Sequence, residues 1–562
     1  MKYRPDRPLI VQGNRTVLLE SDHPRFTEVR DRLSALAELV KTPEHLHTYR
    51  ITDLSLWNAA ASGWSAEEIH AFLNEESKFG LPASLRKEVE ETVGRYGVLK
   101  LITRDNRLIL SVEDPDLFRR LRRSTPWKHR LTPVSKGCFE VPKHLRGWVK
   151  QEIIRWGYPV GDQAGYARGE SIPLRLRERT RSEGSLFRLR SYQQRAVDAF
   201  HCEGDVTGGN GVLVLPCGAG KTVIGIAVME KVGKATLILT PHTTSVRQWI
   251  RELLDKTDLT EEQVGEYTAS RKEVRPVTVA TYQILTHRSG DSDPFIHMNL
   301  FEQRDWGLVI YDEVHLLPAP VFRATADIQV RRRLGLTATL VREDGREEDV
   351  FSLIGPKKFE ANWKEMENDR WIARARCTEV RTPLSTDRKR EYAQAPRQRR
   401  YRIAAENPGK IEVLKKVLHK HQGLKTLIIG QYLDQLKEVA ALLKAPLITG
   451  AMAQKDREDL FDRFRRGEES VLVVSKVANF AVDLPDARVA VQISGTFGSR
   501  QEEAQRLGRI LRPKQGENEA FFYNIISRDT VDQEYAMHRQ LFLVERGYRY
   551  EVTESEAWEG EG

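Results

Sequence analysis

The sequence predicts an α/β protein in which two doubly wound parallel-sheet domains follow smaller α+β domains. Two observations lead to this prediction. Short apolar runs alternate with helical segments in two successive series, and residues 1–120 show a different pattern of helices and short strands. The length of 562 residues is enough for about three to four domains, each with its own core.

The N-terminal region combines helices with a small hairpin. Ser65 and Glu68 have the spacing of a capping box, which indicates the start of a helix, and Pro82 begins a second helical run. The predicted bounds are 66–78 and 82–96 for the helices and 98–102 and 107–112 for the strands. Helices before a hairpin favour a winged-helix-like or docking module, and a plain structural cap is the alternative.

The two series of apolar runs are typical of buried parallel strands, because they are rich in Val, Ile and Leu and each leads into a polar turn and a helix. The first series is predicted at 211–215, 235–240, 277–282, 307–311 and 333–337. The second is predicted at 425–429, 446–449, 471–474, 489–493 and 520–526. The four predicted domains cover 1–120, 125–180, 185–360 and 361–555.

A glycine-rich loop follows the first strand of the first series and leads into a helix. Its residues are Pro216, Cys217, Gly218, Ala219, Gly220, Lys221 and Thr222. Small residues let backbone N–H groups approach a polyphosphate, and the helix N-terminus adds positive potential. Lys221 is predicted to reach the terminal phosphates and the Thr222 hydroxyl to bind Mg²⁺. The alternative is a chance glycine-rich turn, but the strand before the loop and the helix after it favour phosphate binding.

An Asp-Glu pair ends another apolar run, Leu308-Val-Ile-Tyr-Asp312-Glu313-Val-His315. Asp312 is predicted to hold Mg²⁺ through water, and Glu313 to orient and deprotonate the water that attacks a γ-phosphate. His315 is predicted to couple this site to the neighbouring domain. Such a pair alone suits a solvated turn equally well, but its position 90 residues after Thr222 favours a role in catalysis.

The second α/β domain contains the segment Gln505-Arg-Leu-Gly-Arg509-Ile-Leu-Arg512. Arg509 and Arg512 are three residues apart, so that they share one face of a helix and can reach toward a γ-phosphate, with Gln505 beside them. The alternative is an exposed basic helix whose arginines pair with nearby glutamates.

Composition narrows the class of partner. Lys and Arg number 89 against 80 Asp and Glu, a net charge of +9 that favours polyanionic partners. Basic runs lie at 119–130 and 388–402, and glutamates from 551 onward predict a solvated tail. No apolar stretch approaches the roughly 20 residues that cross a bilayer, and no secretory signal is evident, so a cytoplasmic protein with no membrane association is expected. The four cysteines are far apart, which supports neither a disulfide framework nor a metal site.

In order, these motifs resemble a superfamily 2 helicase core: the loop 218–222, Asp312-Glu-Val-His315, Thr337-Ala-Thr339 and the segment 505–512. Leu215 stands where the general phosphate loop has glycine, and this agrees with the helicase form of the loop. Three further strings resemble the XPB family of 3′-to-5′ DNA helicases, in its bacterial or archaeal type. They are Leu336-Thr-Ala-Thr-Leu-Val-Arg-Glu-Asp344, Leu353-Ile-Gly-Pro-Lys357 and Glu360-Ala-Asn-Trp363.

The resemblance implies two RecA-like motor domains, ATP and Mg²⁺ as cofactors, and DNA as the substrate. Arg342, Glu343 and Asp344 match the RED element, which supports unwinding in the family. Residues 137–148 lie where relatives have a small damage-recognition domain, and 385–405 where they have a thumb-like insertion. There Arg388, Arg390, Arg399 and Arg400 would contact phosphates, and Tyr392 and Tyr401 would stack on bases. A solvated charged face is the alternative.

Other strand ends supply further candidates. Gln193 or Gln194 would contact the adenine edge through its amide, and Gln193 is favoured. Thr240, Thr281 and the pair Ser475-Lys476 would hold phosphates of a DNA strand through hydroxyls and backbone amides. Hydroxyls that cap ordinary loops are the alternative.

The predicted activity is therefore ATP-dependent opening of single-stranded, forked or damaged duplex DNA in repair or transcription, near the nucleoid. A separate nuclease or repair protein is the expected partner. Three alternatives stay open: a double-stranded DNA translocase that separates no strands, an ATP-gated recruitment platform, and the motor subunit of a nuclease.

Overall fold

The structure is a computed structural model. It describes residues 3–41, 45–105, 107–142, 145–164, 169–202, 208–216, 218–287, 296–301, 303–317, 330, 332–338, 347–475, 487–495, 507–508, 510–511, 518–545, 548 and 550–558. The chain divides into two compact units, Met1–Leu215 with Gly220–Ala361 and Pro216–Ala219 with Asn362–Gly562. None of the helices in this described part of the chain combines the length and hydropathy needed to span a bilayer.

The N-terminal part of the first unit is a four-stranded antiparallel sheet with four helices. The sheet order is β1-β2-β4-β3, with β1 at Leu9–Val11, β2 at Thr16–Glu20, β3 at Glu38–Lys41 and β4 at Leu46–Arg50. The helices are α1 (Phe26–Leu33), α2 (Asp53–Ala61), α3 (Ala66–Glu76) and α4 (Ala83–Gly94). The predicted capping box is confirmed, because the Ser65 hydroxyl accepts the Glu68 N–H and the Glu68 carboxylate accepts the Ser65 N–H.

A five-stranded sheet follows, in the order β7-β8-β6-β5-β9. Its strands are β5 (Leu99–Arg104), β6 (Arg107–Val112), β7 (Thr132–Ser135), β8 (Cys138–Val141) and β9 (Val160–Asp162), and its helices are α5 (Pro115–Arg123), α6 (Thr125–Lys128) and α7 (Arg146–Arg155). The predicted hairpin is β5 and β6, but it is not the wing of an N-terminal module. It forms the middle of this sheet, because β6 also pairs with β8 and β5 with β9, burying Leu101, Leu110 and Phe139 in one core.

The first predicted motor domain contains a sheet of seven parallel strands, the first motor sheet, in the order β12-β13-β11-β14-β15-β10-β16. These are β10 (Asn210–Val214), β11 (Thr236–Thr240), β12 (Val264–Tyr267), β13 (Val277–Thr281), β14 (Leu308–Asp312), β15 (Arg332–Thr337) and β16 (Lys357–Glu360). Its helices are α8 (Ser191–His201), α9 (Lys221–Val232), α10 (Thr243–Lys256), α11 (Tyr282–Leu285) and α12 (Glu347–Leu353), with 3₁₀ turns at Glu261–Gln263, Met298–Phe301 and Val314–Leu316. All five predicted strands are confirmed, and β12 and β16 extend the sheet at its two edges.

The second motor sheet repeats this architecture in the second unit, with the parallel order β19-β20-β18-β21-β22-β17-β23. The strands are β17 (Arg374–Thr382), β18 (Thr426–Gly430), β19 (Leu447–Ile448), β20 (Val471–Ser475), β21 (Val489–Gln492), β22 (Glu519–Ser527) and β23 (Tyr550–Glu554). The helices are α13 (Trp363–Asn368), α14 (Thr386–Gln394), α15 (Arg397–Ala405), α16 (Gly409–Lys420), α17 (Leu433–Leu443), α18 (Gln454–Arg466) and α19 (Val531–Glu545). The five predicted strands are again confirmed.

The predicted solvated tail is wrong for residues 550–554. They form the edge strand β23, which pairs in parallel with β17 from Cys377 to Arg381. The backbone of this segment completes the sheet, while the side chains of Glu551 and Val552 are exposed to solvent. An edge strand can therefore have acidic residues such as Glu551. Glu554 also accepts a hydrogen bond from Arg528 at 2.8 Å.

The two N-terminal sheets attach to the first motor domain around α12. Trp57 from α2 packs its ring against Phe351 of α12, and Ile154 from α7 joins the same apolar cluster. The backbone N–H of Lys357 donates to the Asn58 side chain at 3.0 Å. These contacts tie both N-terminal regions to α12, and the first of them also to β16.

A buried ionic cluster lies beside this apolar contact. The Asp162 carboxylate at the end of β9 accepts hydrogen bonds from Arg146 at 2.6 Å and Lys150 at 2.9 Å, and Arg333 of β15 lies 3.6 Å away. Lys150 and Arg333 also donate to the carbonyl of Leu353, the last residue of α12. Burial lowers the pKa of Lys150 to about 8, although Asp162 opposes this effect. Three cations around one carboxylate therefore join the five-stranded sheet to the motor.

Candidate active site

Lys221 and Glu313 meet at the carboxyl edge of the first motor sheet. Lys221 is the first residue of α9, directly after the loop that leaves β10, and Glu313 follows β14. Both strands pair with β15, so their carboxyl ends lie on the same side of the sheet. The Lys221 ammonium lies 3.1 Å from Oε1 of Glu313, and both side chains are largely buried. The structure thus brings together two residues that the sequence predicted for catalysis.

Glu313 has a left-handed backbone conformation, with φ of 49°, which is uncommon for any residue other than glycine. Its Oε2 is buried and accepts no hydrogen bond from the described residues. Burial raises the pKa of this carboxyl, but Lys221, His315 and the Ala338 N–H together hold it below its ordinary value. Glu313 is therefore an ionised carboxylate with one oxygen available to a water molecule.

Asp312 is oriented by two aromatic residues. The indole N–H of Trp249, on α10, donates to its Oδ2 at 2.9 Å. The Tyr282 hydroxyl donates to its main-chain carbonyl at 2.8 Å. Burial, reinforced by the Glu313 charge, raises the pKa of Asp312 to about 6. The sequence did not reveal Trp249 and Tyr282, because no short motif connects them to the Asp-Glu pair.

His315 contacts a residue of its own domain. Its side chain is buried, and Nδ1 lies 2.6 Å from the Thr337 hydroxyl at the end of β15. The same nitrogen is 3.6 Å from Oε2 of Glu313. His315 thus links the ends of β14 and β15, and its predicted coupling to the neighbouring domain stays a prediction.

The predicted phosphate-binding loop has the backbone that its glycines require. Gly218 and Gly220 have φ of 84° and 77°, in the left-handed region. A Cβ at Gly220 would strain this backbone and would lie 2.7 Å from Nε2 of Gln193, so that the Gln193 amide would have to shift. Pro216 and Ala219 are buried, and the Ala219 N–H donates to the Pro216 carbonyl. Cys217 lies outside the described residues.

Gln193 lies beside Gly220 rather than at a free surface. It is buried, and its Oε1 accepts the N–H of Arg190 at 3.0 Å, which caps α8. Gln194 instead donates to Asp198 at 2.9 Å, on the same helix. Of the two glutamines, Gln193 is the one beside Gly220, and its contact with adenine stays a prediction.

ATP and Mg²⁺ suit the groups at this edge. The Thr222 hydroxyl is in the first turn of α9 and Asp312 supplies a carboxylate, and Mg²⁺ prefers such oxygen ligands. The N-terminus of α9 and the Lys221 ammonium supply positive charge for phosphates. Oε2 of Glu313, buried and without a hydrogen bond from the described residues, suits an attacking water.

The threonines proposed for DNA contact have local partners. Thr240 is buried and its hydroxyl donates to the His242 carbonyl at 3.2 Å. The Thr281 hydroxyl accepts the Ile284 N–H and thereby caps α11. These bonds favour the capping alternative for both hydroxyls.

The basic segment 385–405 forms the helix pair α14 and α15. Arg390 and Arg399 have side chains 75% and 67% exposed, whereas Arg388 and Arg400 are partly buried. Tyr401 is 1% exposed and its hydroxyl donates to the Gly495 carbonyl. Base stacking by Tyr401 is therefore wrong, because its ring belongs to the core.

Several predicted residues lie outside the described part of the chain. They are Arg342, Glu343, Asp344, Lys476, Gln505, Arg509 and Arg512. Leu507, Ile510 and Leu511, which flank the arginines, are fully buried. Leu511 also accepts the Ala373 N–H at 2.8 Å.

Comparison with known proteins places these features in a family. The ERCC3/RAD25/XPB C-terminal helicase family matches residues 366–560, the type III restriction enzyme res subunit family matches 186–342, and a helicase conserved C-terminal domain family matches 9–135. A Kineococcus radiotolerans protein named "DNA 3'-5' helicase XPB" is 51% identical over 99% of this chain and 98% of its own length. The chain belongs to the XPB family.

Two further relatives extend this XPB-family similarity. The Mycobacterium tuberculosis protein of the same name is 50% identical, over 98% of each chain. A "General transcription and DNA repair factor IIH helicase/translocase subunit XPB" from Enterocytozoon bieneusi is 32% identical, over 97% of this chain and 92% of the relative. The predicted family and the two RecA-like domains are confirmed, and the chain is a helicase.

Proposed function

We propose that this XPB-family helicase couples ATP hydrolysis to the separation of DNA strands with 3′-to-5′ polarity. The observation that carries the proposal is the Lys221–Glu313 pair, 3.1 Å apart at the edge of the first motor sheet. DNA and polarity are carried over from the printed names of two relatives that are 51% and 50% identical over nearly the whole chain.

The chemistry follows from the charges at that edge. Mg²⁺, when bound, neutralises developing phosphate charge, and Thr222 and Asp312 would hold it. Lys221 places its ammonium against the terminal phosphates of ATP. Glu313 orients a water through its buried Oε2 and accepts the proton as that water attacks. Trp249 keeps the Asp312 carboxylate in one orientation.

The other predicted residues have roles in the same proposal. Arg509 and Arg512 stabilise charge on the γ-phosphate, with Gln505 beside them. Arg342, Glu343 and Asp344 act in strand separation. Arg388, Arg390, Arg399 and Arg400 contact the phosphates of DNA.

Strand displacement tests the proposal directly. The purified chain would be given ATP, Mg²⁺ and duplexes with either a 3′ or a 5′ single-stranded tail. We expect displacement only from the 3′-tailed duplex, and ATPase activity that increases with single-stranded or forked DNA. An ATPase rate that is the same with and without DNA would contradict the proposal. Strand displacement from the 5′-tailed duplex alone would also contradict it.

Translocation along duplex DNA without strand separation is the second candidate. The printed name of the Enterocytozoon bieneusi relative, "helicase/translocase subunit", favours weighing it for this chain. A translocase would displace a triplex-forming strand from a blunt duplex in the presence of ATP, yet leave the tailed duplex intact. An ATP-gated platform would bind its partners and do neither.

A separate nuclease or repair protein as partner, and a cytoplasmic location at the nucleoid, belong to the same proposal. Affinity capture of the whole chain from its native host, with and without DNA digestion, tests both. Capture of a nuclease or repair protein that survives DNA digestion would support a direct partner.

A further inference from the structure

Helix α15 has two chemically different faces. Arg399 and Arg402 are exposed, with 67% and 51% of their side chains accessible. On the opposite face Tyr401, Ala404 and Ala405 are fully buried. One helix therefore has exposed arginines on its outer face, where Arg399 pairs with Glu391 and Arg402 with Glu406 and Asp434, and its inner face lies in the core of the second motor domain.

The buried face is bonded to the segment that follows β21. The Tyr401 hydroxyl donates to the Gly495 carbonyl. A second chain of hydrogen bonds starts from the Ala405 carbonyl, which accepts from Nε2 of Gln435 at 2.7 Å. Oε1 of Gln435 in turn accepts the Ser494 hydroxyl at 2.9 Å. Two independent routes thus lead from α15 to adjacent residues of one strand end.

Other buried groups secure the same strand end. The Lys410 ammonium donates to the Ile493 carbonyl at 2.9 Å and to Asp532 at 2.6 Å. A Cβ at Gly495 would lie 2.6 Å from Cζ of Arg539, so the backbone passes directly over that guanidinium. Each of the three residues 493–495 therefore has a buried side chain of another segment against it.

This strand end is close in sequence to the arginines proposed for the γ-phosphate. Gln505 and Arg509 come 10 and 14 residues after Gly495. A force on the outer face of α15 therefore acts on the chain just upstream of them. Tightly packed polar networks transmit such displacements because they resist local deformation.

We propose that Tyr401 is a positioning residue that couples DNA contact on the exposed arginines of α15 to the end of β21, and thereby to DNA-stimulated ATP hydrolysis. The inference rests on the proposed function, in which Arg399 of this exposed face contacts DNA. Tyr401 is 1% exposed, so its effect on DNA or nucleotide passes through other residues. It acts through one hydrogen bond, from its hydroxyl to the Gly495 carbonyl, that fixes the position of α15 relative to the end of β21.

The test is Tyr401→Phe, which removes the hydroxyl and keeps the ring that packs against Tyr535. The ATPase rate would be measured without DNA and with saturating single-stranded DNA. We expect the ratio of the two rates to decrease about fivefold, the lower end of ordinary coupling between sites. The Kd for DNA should change less than this ratio, because the arginine face is intact. Gln435→Met, which cuts the second route, should lower the ratio in the same direction.

Tyr523→Phe is the matched control. It removes a buried hydroxyl from the same domain, where Tyr523 bonds to His421 at 2.8 Å. Tyr523 lies on β22 opposite Val491, so that its ring is beside β21 but not paired with residues 493–495. In Tyr523→Phe the ratio of the ATPase rates with and without DNA should equal that of the wild type. Hydrogen exchange supplies a second readout: DNA should change the protection of the peptide 487–495 in the wild type and not in Tyr401→Phe.

The outcomes separate the two proposals. An unchanged ratio in Tyr401→Phe, or an equal decrease in Tyr523→Phe, would overturn the coupling role and leave the helicase assignment intact. A decrease explained entirely by a weaker Kd for DNA would also overturn it. A wild-type chain whose ATPase does not respond to DNA would instead overturn the proposed function, and the coupling with it.

Discussion

The two motor sheets have the same parallel order but different chemistry at their carboxyl ends. In the first, Glu313 keeps a buried oxygen that no described residue bonds, beside the Lys221 ammonium. In the second, the corresponding edge is occupied by internal bonds, among them Lys410 to Asp532 and Tyr401 to Gly495. One scaffold can therefore leave polar groups available for a ligand at one sheet and use them to fix its own chain at the other.

Removing Lys221 should have the largest effect on the first edge. In Lys221→Ala no lysine or arginine remains in the loop 216–222, so ATP hydrolysis should decrease by about 1,000-fold, the upper range for loss of one charge-stabilising group. Steady-state ATPase with saturating DNA measures this. Lys231→Ala removes an exposed lysine from the last turn of the same helix and should retain normal turnover. Full activity of Lys221→Ala would contradict the site.

Breaking the buried pair should have the largest effect on the second edge. Asp532→Ala would leave the Lys410 ammonium buried, and both side chains are 1% exposed. We expect the unfolding free energy of this domain to decrease by about 3–5 kcal/mol, because an unbalanced buried charge is costly. Urea unfolding followed by tryptophan fluorescence measures it. Glu534 is exposed on the same helix, and Glu534→Ala should lower the unfolding free energy by at most about 0.5 kcal/mol. Equal decreases in the two variants would show that the buried pair is no more important for stability than a surface residue.

Glu313→Gln should separate binding from hydrolysis at the first edge. The amide keeps the shape of the carboxylate but accepts no proton, so turnover should decrease about 100-fold, as for loss of a general base. The affinity for a fluorescent ATP analogue should change much less. Wild-type turnover in Glu313→Gln would contradict this role, because another group would then activate the water.

The exposed arginines should give the smallest effect. Arg390→Ala with Arg399→Ala should weaken DNA binding about tenfold and lower the slope of log K against log salt by about two, one for each phosphate that is no longer neutralised. Fluorescence anisotropy over a salt series measures both. Lys415→Ala with Lys420→Ala removes the same charge from α16 and is the control. An identical loss in the control would indicate only a general charge effect.

The central strands of each sheet were predictable from the sequence, but the edge strands were not. Every run such as 277–282 became a strand, because continuous Val and Ile in a parallel sheet indicate burial on both faces. The missed strands β12, β16 and β23 are at sheet edges, where Lys357 or Glu551 is tolerated. Missed β17 is next to the edge and has alternating exposed arginines.

The same limit applies to the site. Lys221, Asp312 and Glu313 were predicted because each belongs to a short motif whose chemistry is local. Trp249 holds Asp312 across 63 residues of sequence, and no local pattern indicates such a contact. Tyr401 was misjudged for a related reason: a tyrosine among arginines suggests an exposed surface, yet it lies on the inner face of its helix.

The contacts around α12 bear on how the protein can be dissected. Phe351 is covered by Trp57 and Ile154, and Arg333 faces Asp162, which belongs to the five-stranded sheet. A motor truncated at residue 185 would expose that apolar ring and take the carboxylate away from the arginine. The N-terminal 180 residues are therefore a part of the first motor domain's fold, and its intrinsic properties are best measured on the whole chain.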